Sequence, residues 1–391
     1  MEIYLDNSAT TKPSEAVIAA MNLALTGVFG NPSSLHRHGL EAEKKLKAAR
    51  RQISSILKIK DEEFVFTSGG TESNNLAILG SLSGQKKDSH YLVTTEIEHP
   101  SVLNVFKHLE TQGYQVTYLK VNQAGIIDLN EFKTCLDKKP ALVSIMMVNN
   151  EIGAIQPINE IGRLISQASP KPLFHVDAVQ AFGKIEFSIN KPGVDMLSIS
   201  AHKFHGPKGI GGLYLRKGIK IQPLFFGGNQ ENSLRPGTEN LPAITGMAVA
   251  ATEALSEVGN KQIYLESLTH RLLSGIIAEI EGVKINTPDG PLAAPHILNV
   301  SFLGIGAEIL LHALEGDGIY VSTRSACTSR KKSFSHVLTA LKLNPEVMES
   351  AVRFSVCVQN TEAEIDYVIE RLRYHVTSLR RIISGVKNYN S

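Results

Sequence analysis

The sequence predicts an α/β fold in which a mostly parallel central sheet has helices on both faces and is followed by a smaller α/β domain. Short apolar runs of strand length alternate with longer segments of helical periodicity through the first two thirds of the chain, as in sheets with helical crossovers. Beyond a long helix predicted at 241–258 this pattern changes. The chain of 391 residues is also longer than one hydrophobic core usually supports, so two domains are expected.

Each element of the first domain is predicted from its apolar pattern. Strands are assigned to short runs of apolar and β-branched residues, and helices to segments in which apolar residues recur three and four positions apart. The strand candidates are 64–67, 91–95, 116–119, 142–148, 173–176, 196–200 and 212–215. The helix candidates between them are 35–57, 72–81, 101–112, 129–137 and 158–167.

The C-terminal third predicts a second group of elements in a different order. Because strands and helices both occur there, this part is expected to form the smaller α/β domain. The candidates are a helix at 263–281, strands at 297–302, 319–321 and 352–355, and helices at 307–314, 335–341 and 361–380.

The composition indicates an ordinary globular protein, with 42% hydrophobic and 20% charged residues. A net charge of +2 gives no argument for nucleic-acid binding or a membrane surface, and the apolar runs are too short to span a bilayer. The first six residues contain no basic region or apolar stretch, so no export signal is expected. Three scattered cysteines, Cys135, Cys327 and Cys357, predict neither a disulfide framework nor a metal site and suit a reducing cytoplasm.

Lys203 follows the strand candidate 196–200 and precedes a break at Gly206-Pro207. Open α/β sheets bind ligands at the carboxyl ends of their strands, where apolar surroundings favour a neutral amine that can form a Schiff base with an aldehyde. Asp177 ends the preceding strand in the same way. A lysine for an aldehyde and a carboxylate for a pyridinium nitrogen together predict a pyridoxal phosphate site. Lys208 is a weaker candidate, because lysines in glycine–proline turns are normally solvated.

Three further strand ends carry polar groups that suit such a cofactor, and each has a plainer interpretation. The turn Gly69-Gly70-Thr71 leads from a strand into a helix, where free N–H groups suit a phosphate, or it is simply a capped helix start. His99 could stack on a flat ring and move protons near neutral pH, or merely begin a helix. Asn150 could hold a carboxylate or a ring oxygen, or be a turn residue.

Two residues in the C-terminal third are further candidates. Cys327 lies in a polar, basic segment that predicts an exposed loop, and nearby positive charge favours its thiolate. A reactive thiol and a passive, solvated hinge both remain open there, whereas Cys135 and Cys357 are interpreted as inert. Arg353 lies in an apolar strand and needs an anionic partner, because it cannot lose its charge. A structural salt bridge or a substrate carboxylate would satisfy it.

Together these motifs resemble, in order and along nearly the whole chain, the cysteine desulfurases of the nitrogen-fixation and iron–sulfur-cluster-assembly branch, within the class V aminotransferase family. Any one motif is a weak pattern, but so many in one order are specific. The matching segments are 4–11, 29–34, 71–73, 98–99, 148–153, 175–180, 200–209, 235–238, 325–327 and 353–355.

The resemblance implies a fold type I pyridoxal phosphate-dependent transferase that forms a homodimer with its sites at the subunit interface. The large, cofactor-binding domain would span residues 16–255. The smaller domain would combine residues 1–15 with 256–391 and would carry the catalytic cysteine on a loop at about 322–336.

The resemblance also implies a role for each site residue. Lys203 would hold the cofactor aldehyde, Asp177 would pair with the pyridinium nitrogen, and Cys327 would be the nucleophile. His99 would stack on the ring and act as an acid–base group, and Gln180 would bond the phenolic oxygen. The other residues implied are Gly70, Thr71, Ser200, His202 and the partner subunit's Thr238 for the phosphate, Asn150 for cofactor and substrate, and Arg353 for the substrate carboxylate.

The implied activity removes sulfur from L-cysteine, which releases L-alanine and leaves a persulfide on Cys327. The sulfur would pass to an acceptor protein such as an iron–sulfur scaffold or a tRNA-thiolation protein. This sequence departs from the family near the cysteine, with Arg324 where glycine is common and Lys331-Lys332 in place of a Glu-Pro pair. The alternatives are a selenocysteine lyase, another class V enzyme such as an aminotransferase, or a catalytically idle scaffold.

Overall fold

The structure is a computed structural model that describes residues 2–84, 89–189, 193–323 and 334–389, with side chains described as far as residue 383. Its strands are β1 (Ile3–Tyr4), β2 (Phe64–Thr67), β3 (Tyr91–Thr95), β4 (Gln115–Leu119), β5 (Leu142–Met146), β6 (Leu173–Asp177), β7 (Met196–Ser200), β8 (Gly211–Leu215), β9 (Val283–Ile285), β10 (Ile297–Phe302), β11 (Ile319–Tyr320) and β12 (Ala351–Ser355). Its helices are α1 (Glu15–Thr26), α2 (Arg37–Leu57), α3 (Gly70–Asn75), α4 (Ser81–Gly84), α5 (Pro100–Thr111), α6 (Leu129–Asp137), α7 (Ile158–Gln167), α8 (Leu241–Leu255), α9 (Val258–Glu279), α10 (Ala307–Gly316), α11 (His336–Ala340), α12 (Pro345–Glu349) and α13 (Glu362–Tyr389).

The largest sheet has seven strands in the spatial order β2-β8-β7-β6-β5-β3-β4. Its neighbouring strands are parallel except at β8, which runs antiparallel to both β2 and β7. The prediction of a mostly parallel central sheet is therefore confirmed. The predicted strand 142–148 is too long, since β5 ends at Met146 and Val148 instead forms a bridge to Ile155.

Helices cover both faces of this sheet. Successive residues of a strand point to opposite faces, so neighbouring residues pack in different apolar cores. Val93 and Phe174 pack in one apolar core with side chains of α2, α6, α7 and α8. The preceding residues, Leu92 and Leu173, pack in a second core with side chains of α5.

The C-terminal third forms a three-stranded antiparallel sheet in the order β12-β10-β9. A third apolar core lies between this sheet and side chains of α9, α10 and α13, and it includes Ile3 and Leu5 from the start of the chain. Strand β1 also pairs in parallel with β11. The N-terminal segment thus packs with the C-terminal third, while the division of the chain at residues 15/16 and 255/256 stays a prediction.

Several elements differ from their predicted extents. The predicted helices 241–258 and 263–281 are α8 and α9, which are separated at Glu257 by a left-handed backbone conformation with φ 51°. Cys135, which is interpreted from the sequence as inert, is buried in α6. Within the residues that the structure describes, none of the helices combines the length and apolar content needed to cross a bilayer.

Candidate active site

A cavity of about 300 Å³ opens at the carboxyl ends of β5, β6 and β7. The parallel register aligns these ends, with Met146 opposite Asp177 and Asp177 opposite Ser198. The cavity brings together ten of the predicted site residues, namely Gly70, Thr71, His99, Asn150, Asp177, Gln180, Ser200, His202, Lys203 and Arg353.

Asp177 presents a buried carboxylate to this cavity. Its Oδ2 atom accepts a hydrogen bond of 2.7 Å from Asn74 Nδ2, and its Oδ1 atom accepts one of 2.9 Å from the backbone N–H of Val179. Both oxygens are therefore held in fixed positions. A carboxylate oriented in this way can stabilise a cationic ring nitrogen.

His99 forms the N-cap of α5 and lies on another wall of the cavity. Its Nδ1 atom accepts a hydrogen bond of 3.1 Å from the backbone N–H of Ser101 and lies 2.8 Å from Ser101 Oγ. Burial lowers the pKa of His99; the negative charge of Asp177 opposes this change, and Lys203 and His336 reinforce it. The ring is consequently neutral at physiological pH.

Lys203 ends the short 3-10 turn that follows β7. Its Nζ atom donates to the backbone carbonyls of Ser8 and Ala9, at 2.5 and 2.8 Å. Gln180 Nε2 donates to the same Ser8 carbonyl at 2.9 Å. The N-terminal segment therefore forms the wall of the cavity against which the lysine amine rests.

The glycine turn at the start of α3 forms one edge of the cavity, and Gly70 has no room for a side chain. Gly69 has φ 154°, and a Cβ atom on Gly70 would lie 2.8 Å from Val179 Cγ2. Thr71 and Ser200 add two hydroxyl groups at this edge. Small residues, hydroxyls and the start of a helix are the groups that suit a phosphate.

A second cavity, of about 390 Å³, adjoins this edge and is lined by His202 and Lys208, among others. His202 Nδ1 lies 3.2 Å from Thr10 Oγ1. Burial lowers the pKa of His202 to about 4, with contributions from the positive charges of Lys203 and Lys208. His202 is therefore a neutral hydrogen-bonding group at neutral pH. Lys208 is exposed, as expected for a lysine in a turn.

Arg353 lies on β12 with its side chain almost fully buried. Its Nη2 atom forms an ion pair of 2.6 Å with Asp6 Oδ1, and its Nη1 atom donates to the Asn150 carbonyl at 2.8 Å. Among the described residues, its buried Nε has no hydrogen-bond partner. The structural salt bridge anticipated from the sequence is thus present, and the guanidinium also lines the cavity, where a carboxylate could reach it.

One predicted residue is described but does not lie at this cavity, and a second is not described. Thr238 is exposed and does not line it, and Cys327 lies outside the described residues. The other two cysteines, Cys135 and Cys357, are buried and form no disulfide. Burial raises the pKa of the Cys357 thiol, which keeps it protonated and unreactive.

Several residues of the cavity were not predicted from the sequence, among them Ser8, Asn74 and Ser101. Asn74 lies three positions after Thr71 in α3, and side chains with that spacing share one face of a helix. That spacing was the available signal for Asn74. Segment 4–11 matched the family pattern, but nothing in its residue types suggested contact with a lysine amine.

The donor set fits pyridoxal phosphate. A buried carboxylate, a primary amine and a glycine edge with hydroxyl groups lie around one cavity and correspond to the ring nitrogen, aldehyde and phosphate of that cofactor. A Cβ on Gly70 would collide with Val179, so this edge accommodates glycine but no larger residue.

Sequence comparisons place the chain among known proteins. The sequence model of the family described as Aminotransferase class-V matches residues 3–368. A cysteine desulfurase of Nostoc sp. is 44% identical over 386 residues, which cover 99% of this chain and 95% of that protein. The cysteine desulfurase IscS of Clostridium botulinum is 41% identical over 372 residues, which cover 95% of this chain and 93% of that protein.

Solved structures show the same similarity. A NifS-like protein superposes with a TM-score of 0.90 at 39% identity, covering 96% of this chain and all (100%) of that chain. A NifS-like protein from Rickettsia africae gives a TM-score of 0.85 at 30% identity, covering 97% of this chain and 100% of that chain. SspA, solved in complex with cysteine, gives 0.80 at 33% identity, covering 92% of this chain and 100% of that chain.

Proposed function

The chain belongs to the class V aminotransferase family and is a cysteine desulfurase, and from this premise we propose that the cavity binds pyridoxal phosphate and L-cysteine and that Cys327 receives the sulfur. The observation that carries the proposal is the convergence of the Asp177 carboxylate, the Lys203 amine and the Gly70 edge on one cavity.

The cofactor, when bound, supplies an electron sink for the bonds at the substrate α-carbon. Asp177 would stabilise the proton on the ring nitrogen, because Asn74 and the Val179 N–H fix both of its oxygens. Lys203 would hold the aldehyde after leaving the Ser8 and Ala9 carbonyls. Its amine would also be a base to which a substrate proton could pass.

The remaining cofactor contacts follow from the lining of the cavity. The phenolic oxygen would be bonded by Gln180, and the neutral His99 would lie against the ring. The phosphate would be held by Gly70, Thr71, Ser200 and His202, with Thr238 contributed by a second subunit.

Arg353 would bind the carboxylate of L-cysteine. Asp6 and the Asn150 carbonyl already orient two nitrogens of the guanidinium, and the buried Nε remains to be satisfied. An unsatisfied buried donor is costly, so an arriving carboxylate would relieve that cost. Asn150 lies beside the same position on the cavity wall.

Cys327 would attack the substrate sulfur as a thiolate, which nearby basic residues in the sequence favour. The new S–S bond forms as the C–S bond breaks, and the electron pair passes to the carbon, which is then protonated and leaves as L-alanine. The described residues on both sides of segment 324–333, which contains Cys327, lie near the cavity. Ser322 pairs with the backbone of Arg353, and His336 Nε2 lies 2.9 Å from the Glu98 carbonyl.

The same proposal includes a homodimer. Leu35 and Leu40 are exposed and line, with residues 229–232, an open cavity of about 750 Å³. Exposed apolar surface of this kind is typical of an interface, and Thr238 lies in the adjoining loop, where it could reach the phosphate of a second copy.

An acceptor protein must then remove the persulfide sulfur. We propose an iron–sulfur scaffold or a tRNA-thiolation protein, which is supported by the resemblance to the cluster-assembly branch. Basic residues near Cys327 favour an acidic acceptor surface. The cytoplasm is the proposed location, and the free thiols of Cys135 and Cys357 support it.

L-cysteine turnover, with alanine and persulfide measured together, tests the proposal. The Cys327→Ser variant should bind cofactor and L-cysteine but form no persulfide, and Lys203→Ala should lower alanine formation at least ~100-fold. Cys135→Ala is the matched control, because that thiol is buried in α6, and it should retain activity. Persulfide transfer at the normal rate by Cys327→Ser would contradict the assignment.

A further inference from the structure

We propose that Asn74 and Ser101 are positioning residues that hold the neutral ring of His99 in a single tautomer, with its proton on Nε2 and with Nδ1 as an acceptor. The inference deepens the proposed function, because His99 is the residue expected to lie against the cofactor ring. It follows from a chain of three short contacts that begins at Asp177.

The first contact fixes the orientation of the Asn74 amide. A carboxylate can only accept hydrogen bonds, so the amide atom 2.7 Å from Asp177 Oδ2 must be the nitrogen. Turning the amide over would place two acceptor oxygens against each other in a buried position. Asn74 Oδ1 has no partner within the described residues, so nothing there favours the reversed orientation.

The second contact fixes the hydroxyl of Ser101. Asn74 Nδ2 carries two hydrogens, of which one points to Asp177 and the other to Ser101 Oγ at 2.9 Å. Ser101 Oγ therefore accepts from Asn74, and its own hydrogen is free to be donated. Its remaining polar neighbour is His99 Nδ1, at 2.8 Å.

The third contact makes Nδ1 an acceptor from two directions. The backbone N–H of Ser101 donates to the same atom at 3.1 Å, because His99 is the N-cap of α5. The Ser101 hydroxyl, at 2.8 Å, makes the shorter of the two contacts with Nδ1. A neutral imidazole carries one proton, so that proton lies on Nε2.

The groups that face His99 are consistent with this state. Burial favours the uncharged ring, and Lys203 and His336 add positive charge that opposes protonation. Asp177 acts in the other direction, but its carboxylate is already bonded to Asn74 and the Val179 N–H.

The consequence concerns what His99 can do in the resting enzyme. Its Nε2–H can donate a hydrogen bond to an anionic group such as a substrate thiolate. It cannot accept a proton at Nε2 until that proton has left. His99 is therefore a hydrogen-bond donor at Nε2 rather than a general base in the resting enzyme. This state depends on the Asp177 carboxylate, which would also pair with the cofactor ring.

The test is the ring-nitrogen NMR spectrum of the full-length holoenzyme with ¹⁵N-labelled histidine, and a His99→Asn variant identifies the signals. The expected result is a protonated Nε2 and an acceptor-type Nδ1 at neutral pH. In Ser101→Ala and Asn74→Ala, we expect a mixture of tautomers and a rise in the pKa of His99, since hydrogen bonds to the neutral form are lost.

Two variants and one internal signal separate positioning from general damage. Ser101→Thr keeps a hydroxyl and should restore the wild-type spectrum. Asn75→Ala is the matched control, because Asn75 Nδ2 bonds the backbone carbonyl of Ser101 at 3.2 Å rather than its hydroxyl, and it should leave the tautomer unchanged. The signal of His175, which is buried between two serine hydroxyls, reports whether each variant is folded.

A protonated Nδ1 or a mixture in the wild-type enzyme would overturn the inference. An unchanged single tautomer in both alanine variants would also overturn it, because the backbone N–H alone would then suffice. Neither result depends on turnover. If the enzyme forms no alanine from L-cysteine, the proposed function fails while the tautomer measurement still decides this inference.

Discussion

Glu98 carries a carboxyl group whose replacement by glutamine should remove a pH-dependent loss of stability. Glu98 is fully buried next to His99. Its Oε1 atom accepts hydrogen bonds from Met146 N at 2.9 Å and Thr95 Oγ1 at 2.8 Å, while within the described residues Oε2 has no partner. Burial raises the pKa of Glu98 from 4.5 to about 8, although the two hydrogen bonds oppose the rise; the negative charge of Asp177 adds to it.

The sign of the effect follows from proton binding. The native state keeps the Glu98 proton up to about pH 8, whereas the unfolded chain releases it near pH 4.5. Between these values the native state binds more protons, so the free energy of unfolding falls as the pH rises and levels off above about pH 8. At about 1.4 kcal/mol per unit of pKa, this group removes about 3 kcal/mol between about pH 5 and about pH 7.5.

The assay is thermal unfolding of wild type and Glu98→Gln at both pH values. Subtracting the Tm of the wild type from the Tm of the variant at each pH removes the contribution of every other titrating group. Glutamine can accept the same two hydrogen bonds and cannot ionise, so the difference in Tm should change by roughly 4 °C in favour of the variant on going to the higher pH. Glu160→Gln, which changes an exposed carboxyl on α7, should show no such change. A difference in Tm that is the same at both pH values for Glu98→Gln would refute the reasoning.

Two further substitutions test charges held by named partners. Arg353→Lys loses the planar guanidinium that contacts Asp6. The KM for L-cysteine should therefore rise roughly 10-fold or more, with a smaller change in kcat. An unchanged KM in steady-state assays would argue against binding of the substrate carboxylate by Arg353. Arg50→Met leaves the buried Glu231 carboxylate without its cation, so denaturant titration should show a free energy of unfolding lower by about 3–5 kcal/mol. Arg51→Met, which removes an exposed ion pair, should lower it by less than about 1 kcal/mol. Equal losses in the two variants would contradict the role of burial.

The sequence predicted the central sheet well because its parallel strands are buried on both faces and therefore read as continuous apolar runs. Strands β1 and β9 were not predicted, although the equally short β11 was, because two or three residues give little periodicity to read. Helix α1 was missed because apolar side chains such as Leu23 and Leu25 are exposed rather than confined to one buried face. The local sequence pattern therefore predicts a helix or strand when the burial of its residues follows a regular pattern along that element.

The same limit applies to the site. Asp177 and Lys203 were predicted because each lies at, or within three residues of, the carboxyl end of a strand. Asp6, the partner of Arg353, lies 347 positions away in sequence, and no local pattern joins the two. The contact of Asn74 with Asp177 likewise depends on how α3 packs against β7 and β8, which only the folded chain shows.

The covalent attachment of the cofactor tests the central claim most directly. The holoenzyme should be yellow, and reduction with borohydride followed by peptide mapping should find the pyridoxyl group on Lys203. Recovery of that group on the neighbouring Lys208, or on no lysine of the freshly purified enzyme, would contradict the account of the site.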